Sequence, residues 1–329
     1  MSFRGRKNAA QSNLNSIRLL TALARGASVA ANIKSAARND KGIYATLCPM
    51  KLGIVTDSTA DLPAYLVEQH EIQVVPTLLI LDGKEYKDGI GISREEFYTR
   101  LPSLQTPATT AAPSIGDFLA PYQSLLDSGC DHILSIHVSG KLSGVVNVAR
   151  RAAQEFPGKV TCVDSGSLSM GIGFQVLAAA EAADLGVKAA LETVELTQQT
   201  SKVFAALDTM EYLKRSGRIP GVVANIGGML SIKPVVELRD GEVKPMAINR
   251  TTSQADEFIY SRLVEVGEMS RLAILHTNAE ARARHLLERM MQEKTRMSVP
   301  RDVLFVNVTA VIGTHLGPNC IGFAAVRKP

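Results

Sequence analysis

From Leu52 onward the chain alternates short β-branched apolar runs with stretches whose apolar residues recur at helical spacing, the pattern of a parallel sheet wrapped by helices. Leu52–Asp57 reads as the first strand and Pro63–His70 as the first helix. Ile72–Leu81 is a long apolar run broken by Pro76, where the chain is expected to change direction. Ser93-Arg-Glu-Glu96 has the spacing of a capping box opening a helix through Leu101, and Ser114-Ile-Gly-Asp117 opens another through Leu126. His132–Ser139 and Lys159–Asp164 read as strands on either side of a helix over Leu142–Phe156.

Ala-rich helical pattern fills residues 170–199, and a second region follows. There Lys202–Asp208 reads as a strand, Thr209–Ser216 as a short helix, and Pro234–Asn249 as a hairpin turning at Asp240-Gly241. Amphipathic helices near 252–268 and 278–294 enclose a strand at Arg271–Thr277, and apolar strands at Val303–Val311 and Ile321–Arg327 close the chain. The expected fold class is α/β in two domains. Residues 51–200 form an N-terminal parallel-sheet domain and residues 201–329 a C-terminal domain with a mixed sheet. No internal repeat is visible.

Composition narrows the function classes. With 46% hydrophobic and 21% charged residues over 329 positions, neither disorder nor a collagen-like repeat fits. No run of about 18 uncharged apolar residues occurs, so a soluble, cytoplasmic protein is expected. Residues 1–41 carry eight Lys/Arg and one acid, leaving 28 basic and 31 acidic groups over residues 42–329. That mildly acidic remainder argues against a nucleic-acid surface. The basic first 49 residues read as an over-extended start before Met50, as a targeting leader, or as a functional basic arm. As such an arm they would make the protein a lipid-sensing regulator that binds nucleic acid. Cys48, Cys130, Cys162 and Cys320 are far apart, with no Cys-x-x-Cys, so a zinc site or disulfide framework is not expected.

Candidate chemistry gathers in Ser/Thr/Gly-rich loops at predicted strand ends, where an open α/β sheet places its ligand crevice. They are Asp57-Ser-Thr-Ala-Asp61, Thr109-Thr110-Ala-Ala-Pro-Ser114, Ser139-Gly-Lys-Leu-Ser143-Gly144, Asp164-Ser-Gly-Ser167 and Thr314-His315-Leu-Gly-Pro318. Such hydroxyls either cap helices or hold an anion. His315 reads as set in a Gly-Pro turn between strands, and Arg218 and Arg250 lie in short polar turns. Gly221–Gly228 lacks the phosphate-loop spacing, and Gly171-x-Gly173 lacks the third glycine of a dinucleotide fingerprint. A Ser/His acyl hydrolase or transferase, with Ser143 as nucleophile, His315 as base and Asp57 or Asp164 as orienter, is the enzymatic alternative; Gly-x-Ser-x-Gly is absent.

Taken in order, Ile54-Val-Thr-Asp-Ser-Thr-Ala-Asp-Leu-Pro63, Val74-Val-Pro-Thr77, Leu142-Ser-Gly144, Val163-Asp-Ser165, Ser216-Gly-Arg-Ile219 and Thr314-His-x-Gly-Pro318 resemble the DegV family. The resemblance runs from about Leu52 to the C-terminus. It implies a two-domain α/β protein that encloses one long-chain fatty acid in an apolar tunnel between its domains. It also implies a non-catalytic role in lipid transport or fatty acid metabolism, with no cofactor and no metal. Members resembling this chain present the bound carboxylate to a separate fatty acid kinase subunit, which makes acyl phosphate. Carried over, the carboxylate-binding residues are Thr110, Ser143 and His315, and the arginines supporting transfer or kinase docking are Arg218 and Arg250. Ala111 and Ala112 stand where Ser-Gln is usual, Gly140 where a second serine is, Val145-Val146 where Thr-Tyr is, and Asn319 where Gly is. Two hydroxyls and an imidazole suit a carboxylate in an apolar site. Met170, Met210 and Met229 are candidate adaptable lining.

Overall fold

The apolar runs assemble into three sheets rather than two. The computed structural model describes residues 50–217, 232–293 and 297–328; Arg218 and Met229 lie outside them. In chain order the first half comprises β1 (Leu52–Asp57), α1 (Ala64–Gln69), β2 (Gln73–Val75), β3 (Leu78–Leu81), β4 (Lys84–Lys87), α2 (Arg94–Arg100), β5 (Thr109–Ala111), α3 (Ile115–Asp127), β6 (His132–His137), α4 (Val145–Ala153), β7 (Val160–Asp164), α5 (Met170–Glu181) and α6 (Val187–Thr200). The second half comprises β8 (Ser201–Ala206), α7 (Glu211–Ser216), β9 (Lys233–Arg239), β10 (Glu242–Asn249), α8 (Thr252–Val266), β11 (Met269–Thr277), α9 (Glu280–Gln292), β12 (Val303–Asn307), α10 (Ala310–Leu316) and β13 (Cys320–Arg327).

The N-terminal sheet has the order β2-β1-β6-β7 and is parallel throughout. Gly53 through Asp57 are all buried, as a parallel strand covered on both faces requires. The C-terminal sheet, β10-β9-β8-β13-β11-β12, is mixed, with β12 parallel to β11 and the other pairs antiparallel. Its β9–β10 hairpin turns at Asp240 (φ 57°) and Gly241 (φ 76°), the two positive φ values that a tight two-residue hairpin turn requires.

Pro76 does more than bend one strand. It separates β2, which joins the parallel sheet, from β3, which pairs antiparallel with β4 and β5 in a third sheet. The hydrophobic pattern does not predict β4 and β5: Lys-Glu-Tyr-Lys and Thr-Thr-Ala are short and largely exposed, without apolar alternation. The Ser114 capping box forms in full. At α2 only half of it does, because Ser93 Oγ accepts from Glu96 N–H at 3.0 Å while the Glu96 carboxylate turns to Arg100 at 3.3 Å.

Val303–Val311 is not one strand. β12 stops at Asn307, Val308 N–H donates to the His276 carbonyl at 2.8 Å, and α10 starts at Ala310. His315 therefore lies in the last turn of a helix, not in a turn between strands.

α5 explains the two glycines that mimic a nucleotide motif. Met170 through Ala179 are all buried, and the helix packs on β1 and β6 of one sheet and on β8 and β13 of the other. A Cβ at Gly173 would meet Ala60 O at 2.8 Å, and one at Gly171 would meet Val203 Cγ2 at 2.7 Å. The missing side chains let one helix sit against both sheets. A single apolar cluster accordingly runs from Ile54, Ile133 and Met170 to Ala273, Val306 and Ala324.

Candidate functional site

Thr110 and His315 come from elements far apart in sequence and meet directly. β5 pairs with β3 so that Thr110 lies opposite Leu79, and α10 packs on both strands. α10 can approach closely because Gly313 faces Tyr98 of α2, whose ring occupies the space a Cβ would need. Its last turn then brings His315 Nε2 to 3.0 Å from Thr110 Oγ1, and both residues are half-buried.

Ser143 lies on the loop between β6 and α4, half-buried, with its backbone N–H donating to Ser139 O at 3.0 Å. No direct hydrogen bond joins it to Thr110 or His315. Ala112, Leu142 and Leu316, each one or two residues away from a candidate, pack against the large core cluster. Leu316 and Met210 also belong to a smaller cluster with Leu207, Leu213 and Cys320, whereas Met170 is deep in the main core. Arg250 is exposed just ahead of α8, its backbone N–H donating to Gln254 Oε1 at 3.1 Å. It makes no contact with the Thr110–His315 pair. Arg218 lies outside the described residues.

The Ser/His/Asp arrangement of the enzymatic alternative is not assembled. Asp57 Oδ2 pairs with His137 Nδ1 at 3.0 Å rather than with His315, and Asp164 accepts the backbone N–H groups of Gly140 (3.1 Å) and Gly166 (2.9 Å).

Two buried constellations were not foreseen. In the first, Asp57 accepts from Val138 N–H at 3.1 Å and from the Thr59 hydroxyl, and it holds His137; His137 Nε2 lies 2.6 Å from Ser135 Oγ, which lies 2.7 Å from Tyr122 OH. Asp57, Ser135, His137 and Tyr122 are each 0% exposed, so this relay is sealed and burial pushes the Tyr122 phenol up. The available signal was polar residues at i and i+2 inside an apolar strand. In the second, Asp61 accepts from Ser169 Oγ at 2.6 Å and from Thr309 N–H at 2.8 Å, with Arg94 Nη2 3.5 Å away. One carboxylate thereby ties the β1–α1 loop to the entries of α5 and α10. Burial outweighs those partners and raises its pKa from 3.8 to about 6.

Two clefts border these loops. One, of about 450 Å³, is polar and opens at the ends of β6 and β7, lined in part by Ser139, Asp164, Gln175 and Glu237. The other, of about 230 Å³, opens at the ends of β1 and β2. Neither is the expected apolar tunnel, and neither is lined by Thr110, Ser143 or His315. Among the described residues no group of three or more His, Cys, Asp or Glu is placed to hold a metal, and no helix is long and apolar enough to cross a membrane.

Comparison with known proteins adds a family and a fold. The profile of the DegV family matches residues 51–328. A DegV domain-containing protein of Streptomyces coelicolor is 36% identical over 279 residues, covering 82% of this chain and 96% of that protein. Among solved structures, a fatty-acid-binding DegV family protein from Thermus thermophilus superposes with a TM-score of 0.78 at 35% identity, over 84% of this chain and all of that one. DegV from Bacillus subtilis, a fatty acid binding protein, gives 0.74 at 29% identity, over 85% of this chain and all of that one.

Proposed function

Because the chain belongs to the DegV family, we propose that it binds one long-chain fatty acid, of palmitate or oleate type, and does no chemistry of its own. The observation that carries this reading is the Thr110–His315 pair, 3.0 Å apart and half-buried beside apolar packing. A carboxylate entering such a place needs donors. The Thr110 hydroxyl, the His315 ring N–H and the Ser143 hydroxyl are the groups assigned to it. The acyl chain supplies most of the affinity, at roughly 0.8 kcal/mol per buried methylene.

The carboxylate end is then offered to a separate fatty acid kinase catalytic subunit, with Arg218 and Arg250 supporting docking or transfer. Arg250 is exposed and enters no ion pair among the described residues, which suits a contact with an anionic partner surface. We place the domain division between residues 200 and 201, the acyl tunnel between the two domains, and residues 1–49 outside both.

Native mass spectrometry of the purified protein, followed by solvent extraction, tests the reading. One fatty acid per chain is the expected result. A protein that is empty and takes up neither palmitate nor oleate would overturn it.

A further inference from the structure

The loop that carries Ser143 is flexible by composition. Ser139-Gly-Lys-Leu-Ser143-Gly144, between β6 and α4, has glycines at 140 and 144 on either side of Ser143, and glycine leaves a backbone its widest choice of conformations. Hydrogen bonds therefore have to fix it, and they converge on Ser139. Its carbonyl accepts from Leu142 N–H at 2.9 Å and from Ser143 N–H at 3.0 Å, while its own N–H donates to Ser167 O at 2.9 Å. Its hydroxyl accepts from Lys141 N–H at 3.3 Å, closing a turn over Gly140, and donates to the Gly241 carbonyl at 2.7 Å. Ser139 is 1% exposed, so water does not compete for these bonds.

The partner of that hydroxyl comes from the other half of the chain, 102 positions on. Asp240-Gly241 is the turn of the β9–β10 hairpin, and the contact continues on its outer side, where Lys141 Nζ donates to the Asp240 carbonyl at 2.9 Å and lies 3.5 Å from Glu242 Oε1. So close an approach needs a glycine in the turn: a Cβ on Gly241, at φ 76°, would meet Ser139 Oγ at 2.7 Å. Two successive turn carbonyls thus meet Ser139 and Lys141, which stand two residues apart on the loop. We infer that Ser139 is a positioning residue for Ser143, latching the loop to the hairpin turn so that the Ser143 hydroxyl is held where a fatty-acid carboxylate can use it. This role rests on the assignment of Ser143 to that carboxylate. Ser139 acts through the loop backbone and not on the ligand itself.

Equilibrium binding of radiolabelled palmitate and oleate to the delipidated full chain tests this, in a double-mutant cycle of Ser139→Ala and Ser143→Ala. Binding stays measurable throughout the cycle because the acyl chain supplies most of the affinity. Ser139→Ala should weaken binding about fivefold when Ser143 is present, and less than about twofold once Ser143→Ala has removed the hydroxyl it positions. A serine that merely holds the fold together would cost the same in both backgrounds, and that result overturns the proposal. So does unchanged affinity in either single variant. Should Ser139→Ala fail to fold, Lys141→Met loosens the same contact from outside, at a side chain that is 56% exposed. It should weaken binding about twofold when Ser143 is present and not at all in Ser143→Ala; equal losses in the two backgrounds, or none in either, overturn the proposal. A wild-type chain that binds neither acid overturns the fatty-acid reading and the positioning role with it, whereas wild-type binding that Ser139→Ala leaves intact removes the positioning role alone.

Discussion

Two histidines carry the same vocabulary into different surroundings. His137 and His315 each place Nε2 within hydrogen-bond distance of a hydroxyl, Ser135 at 2.6 Å and Thr110 at 3.0 Å. His137 is 0% exposed, with both ring nitrogens committed and Asp57 behind it; His315 is half-buried at the end of a helix. The sealed relay can only hold the parallel sheet together, because no substrate reaches it. The Thr110–His315 pair instead joins a short edge strand to a helix end and is only half-buried. Burial, not residue type, separates the two pairs.

Breaking the sealed side should have the largest effect. Asp57→Ala removes the acceptor for Val138 N–H, Thr59 and His137 together, and should cost about 3–5 kcal/mol in urea unfolding. A loss below 1 kcal/mol would mean that the relay is not structural.

The second effect concerns Asp61, whose folded-state pKa of about 6 lies above the ordinary 3.8. The folded chain holds this proton more tightly than the unfolded one, so stability should fall as pH rises from about 4 to 6, by roughly 3 kcal/mol. Asp61→Asn should flatten that part of the stability curve. A wild-type curve that rises steadily through the same window would contradict the assignment of burial as the dominant influence.

On the open side, Thr110→Ala combined with Ser143→Ala should leave unfolding within about 1 kcal/mol of wild type while weakening fatty-acid retention by tenfold or more. Lipid recovered at unchanged stoichiometry from the double variant would remove these residues from the head-group assignment. The smallest expected change distinguishes the histidines directly. His315→Gln should shift the unfolding free energy by less than about 1 kcal/mol. His137→Gln, in the relay, should cost several times more, and equal costs in paired urea titrations would erase the distinction.

Much of the scaffold was legible because periodicity reports burial. Leu52–Asp57 falls where the apolar run places it, the Asp240-Gly241 hairpin follows from turn chemistry, and the Ser114 cap forms as its spacing requires. The failures have equally local causes. β4 and β5 are stabilised by pairing with β3 rather than by their own pattern, and Val303–Val311 stays apolar across a strand end and a helix start, since both are buried. Gly171 and Gly173 looked like a failed nucleotide motif because sequence shows an absent side chain but not the neighbour that needs its space.

Thr110, Ser143 and His315 could be nominated from the resemblance to the DegV family, which rests on motifs that are local strings. Their relation could not. Thr110 and His315 stand 205 positions apart, and they meet because β3 registers β5 while Gly313 lets α10 settle against Tyr98. The sequence by itself determined which segments could be strands and helices, because side-chain period and turn chemistry are properties of neighbouring residues. Only the tertiary structure decided which histidine is sealed inside the parallel sheet and which stands half-buried at a helix end beside Thr110. Burial and pairing are set by whatever the fold brings alongside, at separations no local pattern encodes.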